Sequence, residues 1–127
     1  MSLVDQITSP LVEIFDFVRP YYKYVDDDTI RDVITKHWLY GTIDVIHKND
    51  EIVAVVRWNV SPDRLTFDVL DIVIQRGECG FRVMKHLIAR NWHRFPSVQF
   101  IRFSREHKYA GREPRVYSIK RLLKVRT

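Results

Sequence analysis

Residues 65–95 read LTFDVLDIVI, then QRGECG, then FRVMKHLIARNWHRF. The first ten residues are mostly apolar and rich in β-branched side chains, as a largely buried strand requires. Gly77 and Gly80 then bracket a short turn. Beyond it Phe81, Met84, Leu87, Ile88 and Trp92 recur at helical spacing, which predicts a helix over residues 81–95 that Pro96 ends. A strand that passes through a glycine turn straight into a helix leaves unsatisfied N–H groups at the positive end of the helix dipole. That is the physical basis of an anion site. The amides of residues 77–81 are the expected donors, with Arg76 and Arg82 adding charge.

Working outward toward the N-terminus, Leu11, Ile14, Phe15 and Val18 fall at helical spacing. They predict a first helix starting near Ser9, with Pro10 in its first turn and Pro20 beyond its end. Asp26–Asp28 precede a second helix with Ile30, Val33, Ile34, His37 and Trp38 on one face and Gly41 as its stop. From Thr42 the period changes. TIDVIHK, the turn Asn49–Asp50 and EIVAVVRWNV read as an antiparallel hairpin, and SPDR connects it to the strand at 65–74.

Toward the C-terminus, VQFIRFS is a further strand, parallel to residues 65–74 if the intervening helix is a crossover. A basic loop, REHKYAGREP, follows. RVYSIKRLLK then predicts a short helix with Val116, Ile119, Leu122 and Leu123 inward. The sum is an α+β chain forming one domain over residues 1–127, with a single mixed, mainly antiparallel sheet flanked by helices.

The 127 residues suffice for one hydrophobic core. The net charge of +5 conceals a split. Residues 1–75 hold 7 Lys and Arg against 13 Asp and Glu, whereas residues 76–127 hold 14 against 3. The basic part begins at the glycine turn, which points to an anionic ligand or partner there. No apolar run reaches the ~18 residues of a membrane-spanning helix, so no membrane partner is expected. The N-terminal residues lack a signal-peptide pattern, and a lone Cys79 forms no internal disulfide; together these set the expectation of a cytoplasmic protein. The five histidines show no ligand spacing with acids or cysteine, and no metal site is predicted.

Candidates for chemistry are few. Asp68 and Asp71 lie three apart in a strand, so strict alternation puts them on opposite faces, with only one facing a cleft. Asp71 is the candidate general base; its structural alternative is an ion pair with Arg57 or Arg102 on a neighbouring strand. Cys79 sits at the helix start between Arg76 and Arg82, without a Cys-His-Asn signature, and is read as a loop residue whose backbone belongs to the anion site. Residues 102–126, basic and interleaved with Phe103, Tyr109 and Tyr117, offer an alternative function, a small basic module binding nucleic acid.

The element order resembles the GCN5-related N-acetyltransferase fold, in which the turn after the fourth strand carries a Gln/Arg-x-x-Gly-x-Gly/Ala motif. Here Gln75–Arg76–Gly77–Glu78–Cys79–Gly80 occupies that place with glycines spaced G-x-x-G. Within the same superfold, Trp58, then Asp71–x5–Gly77–x2–Gly80, then Phe95–Pro96 is similar to the toxin-activating lysine acyltransferases, whose catalytic aspartate falls on Asp71; Tyr21 and Tyr22 stand where that family has its histidine. The resemblance implies a co-substrate acyl-CoA, acetyl-CoA first, or an acyl carrier protein. It implies that Ile72 and Ile74 at the strand end align the thioester, and that Gln75, Arg76, Gly77, Cys79, Gly80, Phe81 and Arg82 hold the pyrophosphate. Asp71 would act as base and Tyr117 as acid, Tyr109 being the second candidate. The acceptor would be an amine on a small molecule or a protein lysine. The chain stops before the last two strands usual in the acetyltransferase family, which implies either an incomplete substrate side or its completion by a second subunit, as in a homodimer. A scaffold that binds acyl-CoA without catalysis is the remaining alternative.

Overall fold

The periodicities resolve into a sheet with helices on both faces. The computed structural model describes residues 3–103 and 115–124, with side chains from residue 10 onward. In chain order the elements are α1 (Leu3–Val18), a 3-10 turn (Arg19–Tyr21), α2 (Asp27–Tyr40), β1 (Ile43–Lys48), β2 (Glu51–Val60), β3 (Thr66–Ile74), α3 (Gly80–Asn91), β4 (Phe100–Phe103), β5 (Arg115–Ser118) and α4 (Ile119–Leu123). The strands lie in the order β1-β2-β3-β4-β5. Only β3 and β4 are parallel, as the α3 crossover between them demands.

Local chemistry explains most boundaries. Asp26 caps α2, its Oδ1 accepting from Thr29 N–H at 2.7 Å, a bond that also holds its carboxyl below the usual range. Gly41 ends that helix at φ 67°. Asn49 and Asp50 take φ 53° and 64°, the left-handed pair that a tight hairpin between β1 and β2 needs.

Several features differ from expectation. The first helix starts at Leu3 rather than near Ser9, with Pro10 inside it. A proline's φ suits a helix, but at this interior position the ring removes the bond to the carbonyl of residue 6 and crowds that carbonyl. The third helix ends at Asn91 rather than Phe95. Arg94 and Phe95 donate to the carbonyls three residues back at 3.0 and 3.1 Å, tightening the last turn, and the residue before Pro96 is disfavoured in α geometry. Phe81, expected on the buried face, is 40% exposed; Val83 and Asn91 are buried there instead. Finally, residues 115–118 are not helical. They form β5 along the free edge of β4, with Phe100 opposite Ser118 and Phe103 opposite Arg115. Ser118 then caps the short α4, accepting from Arg121 N–H at 3.4 Å. Val116 and Leu123, expected inward, are exposed, while Ile119 and Leu122 are buried as anticipated. A lone helical turn is poorly stable, whereas an edge strand acquires ladder hydrogen bonds at once.

Two apolar cores sit on the two faces. On one, Val56, Trp58, Phe67, Val69 and Ile101 of the sheet pack under Val83, Met84, Leu87 and Ile88 of α3 and Ile119 and Leu122 of α4. Trp58, Phe67 and Phe95 meet there edge to face at 5.5–6.2 Å between centroids, each such pair worth about 0.5–1.5 kcal/mol beyond its buried area. On the other, Val55, Val73 and Ile43 pack under Ile14 and Val18 of α1 and Ile30 and Ile34 of α2. His37 is buried at that core's edge, its Nδ1 2.6 Å from Thr42 Oγ1, as the apolar stripe of α2 predicted.

Candidate functional site

The site begins with one extra residue in β3. Arg57 and Trp58 are consecutive on β2, yet face Asp71 and Val69 on β3, so Leu70 has no opposite residue. This bulge reverses the alternation. Phe67, Val69 and Ile72 all belong to the α3 core, whereas Val73 belongs to the α1–α2 core. Asp68 and Asp71 therefore point to the same face, that of α1 and α2, not to opposite faces as a regular strand gives. Both carboxylates have arginine partners. Arg102 Nε donates to Asp68 Oδ1 at 2.6 Å, which raises the arginine's pKa further. Arg57 Nη2 lies 3.8 Å from Asp71 Oδ2. Burial lowers the pKa of Arg57, and His37, whose own pKa is lowered first by burial and then by Arg57, lies beside it.

The bulge also marks where β3 and β4 part. Their pairing runs only from Thr66 opposite Phe100 to Val69 opposite Phe103. Among the described residues, Leu70–Ile74 have no strand on that side of β3. Ile72 and Ile74 are half-buried there against the α3 core.

β3 then enters the glycine turn. Gln75 donates its N–H to Val53 O at 2.8 Å, and its carbonyl accepts from Glu78 N–H at 3.2 Å. Gly77 sits at the third position of that turn with φ 96°, which makes glycine the natural residue. The Glu78 amide is consumed by the turn, so the expected donor set of residues 77–81 is corrected. Gly77 lies within the turn, and the amides of Cys79, Gly80, Phe81 and Arg82 precede the first helical bond, from Val83 N–H to Cys79 O. Cys79 at the cap position makes no side-chain bond to this terminus, and no acid lies in its first turn. α2 and α4, by contrast, are capped by Asp26 and Ser118. A Cβ built on Gly80 meets nothing within 4 Å among the described residues, so the space beside Gly80 is open. Arg76, Cys79 and Arg82 are exposed around them. A Lys48–Glu78 ion pair at 3.6 Å ties the turn to the end of β1. Amides, dipole, arginines and open space together suit a pyrophosphate, as an acyl-CoA carries.

The tertiary fold brings Tyr117 to this turn. Its ring meets Phe81 at 6.1 Å and Phe103 at 5.7 Å, edge to face in both cases. Tyr117 is thus on the α3 face at the mouth of the opening and Asp71 on the α1–α2 face. Tyr109 lies outside the described residues. Among the described residues no group of three or more His, Cys, Asp or Glu is placed to hold a metal ion, and no helix is long and apolar enough to cross a membrane.

One polar cluster escaped the sequence. Asp44 on β1, 5% exposed, accepts from Asn91 Nδ2 at 2.7 Å, and Asn91 also donates to Leu87 O. Burial pushes the Asp44 carboxyl up, against the pull of Arg90, Asn91 and Trp58. The indole N–H of Trp58 is near enough to act on Asp44 yet outside hydrogen-bond geometry, and it stays without a partner. Arg94 completes the group, donating to Gly41 O at 2.8 Å and to Asn91 Oδ1 at 3.2 Å. The available signal was an acid directly opposite Val56 in the hairpin register.

No family model matches the chain, and no curated protein matches it in sequence. Solved structures do match in fold. Tetrahymena GCN5 superposes with a TM-score of 0.57 at 11% identity, over 82% of this chain and 66% of that one. The aminoglycoside 6′-N-acetyltransferase from Enterococcus faecium gives 0.56 at 10%, over 76% and 55%. Diaminobutyrate acetyltransferase from Paenibacillus lautus, solved with diaminobutyric acid and coenzyme A, gives 0.52 at 13%, over 73% and 58%. The chain thus spans between about half and two thirds of the length of these structures. The likeness shows the fold: the chain has the GCN5-related N-acetyltransferase fold.

Proposed function

We propose that the chain is an acyl-CoA-dependent N-acyltransferase that passes an acyl group directly to an amine. The observation that carries the reading is the open side of β3 from Leu70 to Ile74, running into an uncapped helix N-terminus. The donor's pyrophosphate would lie on the amides of Cys79, Gly80, Phe81 and Arg82, with the guanidiniums of Arg76 and Arg82 beside it. Gln75 and Gly77 shape the turn that presents them. The pantetheine would lie along the open strand, where the unpaired backbone groups of a strand edge receive its amides and Ile72 and Ile74 flank the thioester.

Transfer needs an uncharged amine, a polarised carbonyl and a protonated leaving thiolate. The acceptor, a small amine or a protein lysine, would approach from the α1–α2 face, where Asp71 receives the proton of the attacking nitrogen and Arg57 orients the carboxylate. The new C–N bond forms as the C–S bond breaks, and the Tyr117 hydroxyl on the opposite face donates its proton to the departing sulfur. Acetyl-CoA is the first donor to test, because the open stretch between the strands is only five residues long.

Calorimetric titration with acetyl-CoA and longer acyl-CoAs, followed by free-thiol release in the presence of amines, tests this reading. Saturable binding and amine-dependent thiol release are expected. Absence of binding at about millimolar ligand, some 4 kcal/mol of affinity, removes the enzyme. Binding without turnover for any amine would instead mark a scaffold that retains only the donor site.

A further inference from the structure

The outer surfaces of α3 and α4 carry charge of one sign. Both helices bury their inner faces in the same core on one side of the sheet, so their outer faces look away from it together. On α3, Arg82, His86 and Arg90 recur every four residues and are exposed; on α4, Lys120, Arg121 and Lys124 are exposed. No acidic residue occurs between Glu78 and Glu106 or after Glu113, so neither helix supplies a counter-charge. Among the described residues, Arg82, Lys120, Arg121 and Lys124 form no ion pair. The opposite side differs: residues 10–40, which span α1 and α2, hold six acids against four bases.

The proposed acyl donor does not account for this surface. Arg90 lies about 12 Å along the helix axis from Arg82, beyond the reach of a pyrophosphate seated on the first turn. We propose that the outer face of α3 and α4 binds the phosphate backbone of a nucleic-acid duplex. Its make-up selects that partner over others. Between Arg82 and Arg90 the exposed stripe has no Phe, Tyr or Trp, so it lacks the stacking platforms of a single-strand groove and the aromatic anchors of a protein interface. What remains is a set of spaced cations, which suits phosphate contacts. The location also departs from the sequence expectation of residues 102–126 acting as one strip. Arg102 pairs with Asp68 on the other face, and Phe103 and Tyr117 pack on each other.

This inference does not depend on acyl transfer, and its test keeps the two apart. Fluorescence anisotropy with a random-sequence DNA duplex of about 20 base pairs should show binding whose logarithmic salt slope is about −4, a loss of roughly 250-fold between about 50 and 200 mM salt. The triple variant Lys120→Glu, Arg121→Glu, Lys124→Glu should flatten the slope to about −1 while leaving Tm and the acetyl-CoA titration unchanged; none of the three belongs to the donor site. Should charge reversal unfold the chain, the same positions changed to Gln carry the test, since Gln is a good helix former. Absent binding at the lowest salt, a salt-independent affinity, or tighter binding of a single strand than of the duplex overturns the proposal. Equal competition by polyglutamate of matched charge also overturns it, in favour of an acidic polypeptide.

Discussion

The two glycines of the turn make separable predictions, because the chain needs one and leaves the other unexplained. Gly77 has φ 96°, and a Cβ there meets nothing within 4 Å, so the cost of Gly77→Ala is purely conformational. A left-handed Ala costs about 1–2 kcal/mol. Gly80 has no such φ and equally open surroundings at the first position of α3. Gly80→Ala should therefore stabilise the fold by about 0.4–1 kcal/mol, by restricting the unfolded chain. An unfolding entropy of about 2.1 cal/mol/K per residue over 127 residues makes 1 kcal/mol worth about 4 °C. Thermal unfolding should thus show Tm lower by about 4–8 °C for Gly77→Ala and higher by about 2–4 °C for Gly80→Ala. Calorimetric titration gives the second reading. If the pyrophosphate approaches the α3 amides, the added methyl of Gly80→Ala stands in its path and acetyl-CoA affinity falls by at least about tenfold, or 1.4 kcal/mol, in a protein that has become more stable. A Gly80→Ala variant with raised Tm and undiminished affinity would refute the placement of the donor. An unchanged Tm for Gly77→Ala would refute the turn geometry itself.

Asp71→Asn should lower kcat by about 10²–10⁴-fold with acetyl-CoA affinity intact, and unchanged turnover would exclude Asp71 as the base. Tyr117→Phe keeps the ring contacts with Phe81 and Phe103, so kcat should fall while Tm holds; equal kcat would leave the tyrosine a packing role alone. His37 has its pKa lowered by burial, so between its folded value and the unfolded value of 6.5 the unfolded chain binds more protons. Stability should decline as pH falls through 6.5, and His37→Asn, which preserves a side-chain amide near Thr42, should remove that decline in denaturant titrations across the window. Asp44 has the opposite sign. Its carboxyl is raised above 3.8 by burial, so the folded chain holds the proton longer and stability falls as pH rises through that window. Asp44→Asn should erase this slope and match or exceed the parent near neutral pH; a variant less stable at every pH would show that the charge itself is needed.

Much of the fold was legible locally. A hairpin turn needs left-handed residues and Asn49–Asp50 supply them; a helix start needs a short polar cap and Asp26 supplies it; a helix end needs a left-handed residue and Gly41 supplies it. The glycine turn was legible for the same reason, since strand, turn and helix are contiguous in the chain. What failed was whatever depends on a distant partner. Arg115–Ser118 becomes a strand because the edge of β4 is there to receive it, and Asn91 is buried because Asp44, 47 residues away, accepts from its amide.

The sequence by itself determined the order of elements as far as β4, the parallel crossover and the position of the glycine turn, because period, caps and turn residues act over a few bonds. Only the tertiary structure decided the rest of the site. The bulge at Leu70 is set by pairing with β2, and one inserted residue moves Asp68 and Asp71 to a single face. β5 carries Tyr117 to the first turn of α3, and a shared core turns α3 and α4 so that their cations face one way. Register and face are properties of contacts between strands far apart in the chain, and no local pattern encodes them.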